Sequence, residues 1–487
     1  MAIVIKGGYL LDAERPFAVG DVVIEGDEIV EVGESAERAG ATILDARGKI
    51  VMPGLVNAHT HSNQAIEKGL CDRLPLDSWM ILASYGGAGT RLEPRDLYIS
   101  AMLGAIEMLS TGTTSVIDCM RTDIAWFDEG MDAVMQAYSD IGMRANVAAQ
   151  FADLDFFSSI PLSLIEAPAA LREERRRASV GDILTRAENY IDRWSLKNPR
   201  LTPMLGPSSV ARCSRELYSE TIRLVKHKKT RLQSHLLSAK SQVPVAEELF
   251  GGSTVRYLES LGALGPWASY AHGIWIADDE IPVLAESESV IVHNPVSNQK
   301  LGAGIAPVPA LDRAHVNVAL GSDGASSGDS QNMFEVMKSA ALLHRIANPP
   351  EHWLGSADSL RMCWHGGSVA MGAQIGRLSP GYKADLTILK TGELMVGPKE
   401  QTMNALVYSE VGRSVETVIA GGQIVVDGGK VTTVDVGKIL EEAQDLTARI
   451  WAGLPERLQA FEKLRPVLED LERTVGRLPL AFNRLCG

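Results

Sequence analysis

The sequence predicts an α/β fold: a closed (β/α)8 barrel of the TIM type, a small β-sandwich built from both chain ends, and a helical C-terminal extension. Three observations predict it. Short apolar runs alternate with longer amphipathic stretches through the middle of the chain, the texture of repeated βα units. Segments punctuated by Gly and Asp, rich in β-branched residues, stand at both ends, as in a meander. Residues 433–487 carry helical period and composition.

The first fifty residues contain AIVIK, DVVIEG, EIVEVG and ATILDA, each bounded by turn-forming residues. From VMPGLVNAHTH onward the pattern changes. Strand candidates follow at LVNAHTH (55–61), TSVIDC (114–119), RANVAAQ (144–150), LTPMLGP (201–207), RLQSHL (231–236), ASYAHG (268–273), VIVHNP (290–295) and NVALGSDG (317–324). Amphipathic stretches such as DLYISAMLGAIEMLSTG and SRELYSETIRLVKHKK lie between them. Eight βα units close a barrel. An open doubly wound sheet would carry a Gly-rich turn after its first strand, and PGLVNAHTH offers none. GGAG at 86–89 follows no strand candidate and lacks a downstream Lys-Ser/Thr, so it is no phosphate loop. Within 152–182, the run LREERRR reads as a solvated helix face, with an active-site lid as the alternative. Strand texture returns in GYKADLTIL and TVIAGGQIVVDGGKVTTV. The expected division is therefore 1–54 plus 376–432 for the sandwich, 55–375 for the barrel and 433–487 for the helical extension, which covers the barrel or a subunit interface.

A chain of 487 residues with 45% hydrophobic and 22% charged residues is an ordinary globular composition. The net charge of −14 argues against binding nucleic acid through a broad basic face. Cys71, Cys119, Cys213, Cys363 and Cys486 are scattered, without CxxC spacing, which suits reduced thiols in a cytoplasm. The N-terminus lacks a basic region followed by a sustained apolar stretch, and no apolar run reaches membrane-spanning length. The expectation is a cytoplasmic enzyme with a small-molecule substrate.

The chemistry lies in where the polar residues fall. Barrel enzymes draw their reactive groups from strand C-termini, which meet at one mouth. His59 and His61 end the first strand candidate, His235 the fifth, His272 the sixth, His293 the seventh and Asp323 the eighth. Alternation sends positions i and i+2 to one side, so His59 and His61 both face inward and grip one ion. Three imidazoles and a carboxylate suit Zn²⁺, with Fe²⁺ as the alternative. Such a site makes a metal-bound hydroxide at neutral pH. The remaining histidines, His227, His315, His344, His352 and His365, read as hydrogen-bonded core residues.

PGLVNAHTH, GTTSVID, QSHL, AHG, HNPVSN, KLGAGIAPV, LGSDG and GYKADL together resemble the cytosine-deaminase-like branch of the amidohydrolases. More narrowly, they resemble the group of triazine hydrolases and S-adenosylhomocysteine/methylthioadenosine deaminases. The resemblance covers the chain to about residue 430. It implies His59, His61, His235 and Asp323 as ligands of one divalent metal, since no lysine ends LTPMLGPSS. It implies that His272 hydrogen-bonds the metal-bound water and that Asp323 relays its proton. It also implies that His293, Asn298 and Lys300 line the substrate side and that Trp79, in LPLDSWM, forms an aromatic wall. A homodimer or higher oligomer is expected from the same likeness.

Two positions depart from that group. Ser238 stands where a proton-shuttling Glu is usual, three residues after His235, and Ser208 follows Gly-Pro where many relatives carry His. A serine does not exchange protons as Glu does, and general acid–base help is worth ~10²–10⁴-fold. Both serines are candidate substrate contacts. The expected function is attack of metal-bound hydroxide on a ring carbon of an amino- or substituted N-heterocycle (triazine, pyrimidine, purine or pterin type), releasing ammonia, an amine or another leaving group. Opening of a cyclic or acyclic amide or carbamate is the alternative, and a non-catalytic scaffold a remote one.

Overall fold

The computed structural model describes residues 2–13, 17–85, 92–121, 123–172, 178–346, 348–392 and 401–485. Five strands come first: β1 (Ala2–Leu10), β2 (Ala18–Glu25), β3 (Glu28–Gly33), β4 (Thr42–Asp45) and β5 (Lys49–Pro53). Next are β6 (Leu55–Thr60), β7 (Thr113–Arg121), β8 (Arg144–Phe151), β9 (Leu201–Pro207), β10 (Leu232–Leu236), β11 (Ala268–His272), β12 (Val290–His293) and β13 (Asn317–Leu320). These eight pair in parallel and in chain order. All eight strand expectations are met.

Between β13 and β6 the described residues make no ladder; the seam is closed by the turn after β13. Asp323 N donates to His59 O at 2.9 Å, Ser322 N to Asn57 Oδ1 at 3.0 Å and Thr60 Oγ1 to Asp323 O at 3.1 Å. The barrel is therefore pinned shut at the residues expected to carry chemistry.

Strand alternation fills the interior. Val56, Ala58, Ile117, Ala148, Met204, Val290, Val292 and Ala319 form one buried cluster, floored by Ala370, Met371 and Ile375. Residues of opposite parity, such as Leu55, Val116, Ile291 and Leu320, join the cluster shared with the outer helices. Those helices form where the pattern demands. Val180–Trp194 starts at Ser179, whose Oγ accepts from Asp182 N at 3.1 Å, capping a free backbone donor. It buries Val180, Ile183, Ala187, Tyr190, Ile191 and Trp194 on one face, the spacing of an amphipathic helix.

Both chain ends meet, as expected. β14 (Leu386–Lys390), β15 (Val415–Ala420), β16 (Gln423–Asp427) and β17 (Lys430–Val431) join β1–β5 through an antiparallel β14–β5 pair. Because β5 also pairs with β1, the strands form a single connected sheet rather than two separately paired ones. The buried pair Arg144–Asp385 (2.5 Å) ties this sheet to the barrel. The C-terminal segment is helical over Val436–Ala452 and Leu454–Arg477. GGAG at 86–89 and residues 173–177 of the charge run lie outside the described residues.

Candidate active site

His59, His61, His235, His272 and Asp323 converge at the C-terminal mouth of the barrel. His59 reaches it through a β-bulge. Between Asn57 and Thr60, β6 advances three residues while β7 advances two, from Val116 to Asp118. A bulge of this kind re-aims side chains, and here it puts Ala58 and His59 on the same inner face. His61 then points inward too, one residue past the strand. His272 and Asp323 are turned in by the backbone itself, at φ of 76° and 61°. A non-glycine residue with positive φ is uncommon and concentrates at functional sites.

Each imidazole is fixed through Nδ1. His61 Nδ1 donates to Cys119 O at 2.6 Å and His235 Nδ1 to Ser208 O at 2.5 Å. His59 Nδ1 donates to Gln233 Oε1 at 2.8 Å; Gln233 is held by donating to Ala58 O and Ser269 Oγ. His272 Nδ1 donates to Asn298 Oδ1 at 3.0 Å. A carbonyl oxygen only accepts, so Nδ1 carries the proton and Nε2 the lone pair. The Nε2 atoms turn toward one another and toward Asp323. His61 Nε2 lies 3.2 Å from His235 Nε2 and 3.4 Å from Asp323 Oδ1. His59 Nε2 lies 3.7 Å from the same oxygen, and His272 Nε2 4.0 Å from Asp323 Oδ2.

Burial and neighbouring imidazoles hold the ring charges down. His59 falls to about 3, through desolvation first and then His61. His235 is pushed far below its ordinary value by burial and by His59. Asp323 goes the other way. Burial pushes its carboxyl up, but His272, His59, His61 and the Ser297 hydroxyl outweigh that and hold it below the usual range. Ser297 Oγ donates to Asp323 Oδ2 at 2.6 Å. Burial thus favours the neutral form of His59, His235 and His272 beside one carboxylate. His59 Nε2 is buried with no hydrogen-bond partner among the described residues, a costly state that a cation relieves. The donor set fits a divalent metal.

The site opens into a cleft enclosing about 760 Å³ of space, open solvent at its mouth included. Trp79, Ser208 and Ser238 line it together with His61, His235, His272 and Asp323. His293, Asn298 and Lys300 do not. Val290 and Val292 face the barrel interior, so His293 points outward, its ring 5.3 Å from that of His344. Asn298 is the hydrogen-bond partner of His272, and Lys300 pairs with Asp329. Residues not anticipated from sequence also line the cavity: Asp77, Arg121, Gln150, Arg212 and Gln242. Two of them had a readable signal. Gln150 ends the third strand candidate, and Asp77 sits two residues before Trp79. Burial and Glu472 raise the Asp77 carboxyl to about 6.

Comparison with known proteins decides the family. Residues 50–425 match the amidohydrolase family, spanning the whole barrel and every residue of the histidine–aspartate cluster. The chain belongs to the amidohydrolase family. Similar curated relatives include a 5'-deoxyadenosine deaminase of Methanothermobacter thermautotrophicus, 34% identical over 92% of this chain and 99% of the relative. A 5-methylthioadenosine/S-adenosylhomocysteine deaminase of Carboxydothermus hydrogenoformans is 31% identical over 93% and 99%. Among solved structures, atrazine chlorohydrolase TrzN from Arthrobacter aurescens TC1, complexed with zinc, superposes with a TM-score of 0.82 at 25% identity, over 91% and 100% of the two chains. An adenosine deaminase from Xanthomonas campestris with bound zinc gives 0.81 at 26%, over 92% and 98%. This amidohydrolase is therefore a metal-dependent hydrolase of carbon–nitrogen bonds on a barrel shared with deaminases and triazine hydrolases. Among its described residues no helix is long and apolar enough to cross a membrane.

Proposed function

We propose that this amidohydrolase deaminates an amino-substituted N-heterocycle, with an adenine nucleoside as the leading substrate type, using one divalent cation held by His59, His61, His235 and Asp323. The observation that carries the reading is that His59 and His61 turn their Nε2 atoms to Asp323 Oδ1, with His235 Nε2 beside that of His61, each ring locked through its Nδ1. Zinc is the first candidate and iron the second, because a borderline donor set of imidazoles and one carboxylate accepts either; two solved relatives carry zinc. A cation bound there supplies Lewis acidity and brings the acidity of a water molecule into the neutral range.

The protein's own groups do the rest. Asp323 Oδ1, beside His61 and His59, is a carboxylate placed to take a proton from an attacking water. His272 offers its Nε2 lone pair next to Asp323 Oδ2 and orients the second hydrogen. Trp79 supplies an aromatic face for a planar ring. Ser208 and Ser238 offer hydroxyls, with Gln150 Nε2 donating to Ser208 Oγ at 3.3 Å.

One observation supports a second reading. Ser238 occupies the cavity where the resembled deaminases carry Glu, and besides Asp323 only Asp77 adds a carboxylate to the described lining. Substrates whose leaving group departs with little proton assistance, or cyclic amides, suit such a wall. The test is a screen of zinc-loaded enzyme against adenosine, 5'-deoxyadenosine, 5'-methylthioadenosine, amino-s-triazines and cyclic amides, reading ammonia, amine or ring opening. Release from at least one purine is expected. Opened cyclic amides, with no ammonia or amine from any ring, would overturn the deaminase reading.

A further inference from the structure

The chain beyond the family match, which ends at residue 425, returns to the mouth of the barrel and crosses it. The helix Leu454–Arg477 buries Phe461, Leu468, Leu471 and Val475 in one cluster with Trp79, Ile81, Leu82, Phe156, Ile160 and Leu162. Those partners belong to the segments following β6 and β8, on the side where the histidines lie.

Polar contacts fix the same crossing. Arg457, only 3% exposed, donates to Glu67 Oε1 at 3.2 Å, Leu82 O at 2.9 Å and Ala83 O at 3.1 Å. Ser78 Oγ donates to Glu472 Oε1 at 2.5 Å. Further along, Lys240 Nζ donates to Gly476 O and Leu478 O. Arg484 donates to Ile276 O at 2.7 Å, and Ile305 N to Arg484 O at 2.7 Å. The C-terminal segment is thus bound to the loops after β6, β8, β10, β11 and β12.

No described residue of this helix lines the cavity; it packs behind residues that do, namely Leu76, Asp77, Trp79, Met80 and Phe156. The backbone bearing Trp79 needs that support. Leu76–Trp79 is a single α-turn running into the π-helical segment Met80–Tyr85, and so short a helical piece has no stability of its own. Arg457 satisfies carbonyls of that second segment, and a guanidinium is suited to several acceptors at once.

We propose that the helix Leu454–Arg477 is a built-in back wall of the substrate site, with Arg457 and Glu472 as positioning residues that hold the Asp77–Trp79 face against the cavity. The inference rests on the cavity being the substrate site, as proposed above. It assigns the C-terminal segment a part in substrate affinity and none in metal binding, because the metal-site side chains are anchored by β6, β10 and the turn after β13.

The test uses full-length, zinc-loaded protein carrying Arg457→Met, Arg457→Lys or Ser78→Ala. Hydrogen–deuterium exchange of residues 76–85, metal content, and KM and kcat with adenosine are read together. In Arg457→Met, exchange of 76–85 is expected to accelerate, and KM to rise roughly 10-fold, inside the ~10²-fold that a 1 Å misplacement can cost. Metal content stays at the wild-type level, Arg457→Lys recovers part of the loss, and Ser78→Ala shows a smaller change of the same kind. Unchanged exchange at 76–85 in both Arg457→Met and Ser78→Ala would overturn the inference, as would metal loss that tracks the exchange. If wild-type enzyme leaves adenosine intact, the adenine-nucleoside reading fails separately, while the exchange data still decide the role of the helix.

Discussion

At the scale of single residues, the histidine cluster is set by what each Nδ1 touches. Gln233 illustrates the economy of the arrangement: its amide nitrogen is tied to Ala58 O and Ser269 Oγ, leaving its oxygen for His59. Gln233→Leu should leave the fold intact and lower metal affinity ~10–100-fold, the usual effect of removing a group that orients a ligand; a competitive zinc titration measures it, and unchanged affinity would contradict the assignment. Gln233 was not singled out in the sequence, although it shares the inner face of its strand with His235, two positions on. The place of His293 was not legible, because its role turns on strand parity, which a short run such as VIVHNP leaves open by itself. Asp77 gives a pH prediction. Burial raises its carboxyl from 3.8 to about 6, so the folded state favours the protonated form. Stability from this group therefore falls as pH rises from ~4 to ~6 and stays reduced above that. Asp77→Asn should be more stable than wild type at pH ~8 by up to about 3 kcal/mol, the worth of a two-unit shift, and the gap should close below pH ~4. Thermal melts across that range check it; a gap independent of pH would sink the explanation.

At the scale of elements, the site depends on local irregularities that periodicity does not announce. The repeat of strand and helix was readable because apolar period alone sets it. The bulge in β6 and the left-handed backbone at His272 and Asp323 were not, since they arise only when neighbouring strands are paired. Gly321 belongs to the same class. A Cβ there would meet Asn294 Oδ1, lie 2.8 Å from His59 Cβ and 3.0 Å from His59 N, so glycine permits the close approach of the turn after β13 to β6. Gly321→Ala should destabilise by ~1–3 kcal/mol, as overpacked sites do, and should weaken zinc binding as well. Denaturant unfolding and zinc titration report the two effects; an effect on stability alone would mean that His59 keeps its place. The C-terminal helix was legible as a helix but not as a support of the segment after β6, because its partners Glu67, Ser78 and Leu82 lie nearly four hundred residues away in sequence.

At the scale of the whole molecule, the proposed ligands come from β6, β10 and the turn after β13, so one cation would bind together the first, fifth and eighth strands of the barrel. Binding to the folded state alone stabilises it by mass action, about 4 kcal/mol at a thousandfold excess over Kd. Chelator treatment should lower the melting temperature by several degrees, and added zinc should restore it; a melting curve indifferent to both would mean that the ion does not bridge the barrel. The architecture was almost wholly legible, since alternating periods, two β-rich ends and charged turns act across the entire chain. Which substrate enters the cavity was not, because residues such as Arg121 and Arg212 reach it from segments that only the folded barrel brings together. The most direct test of the account is the metal content of zinc-loaded wild-type protein, His235→Ala and Asp323→Asn, each confirmed as folded. The account predicts roughly one ion per chain in wild type, as for a single site of this kind, and little or none in either variant. Equal metal in all three proteins, or none in wild type, would contradict it.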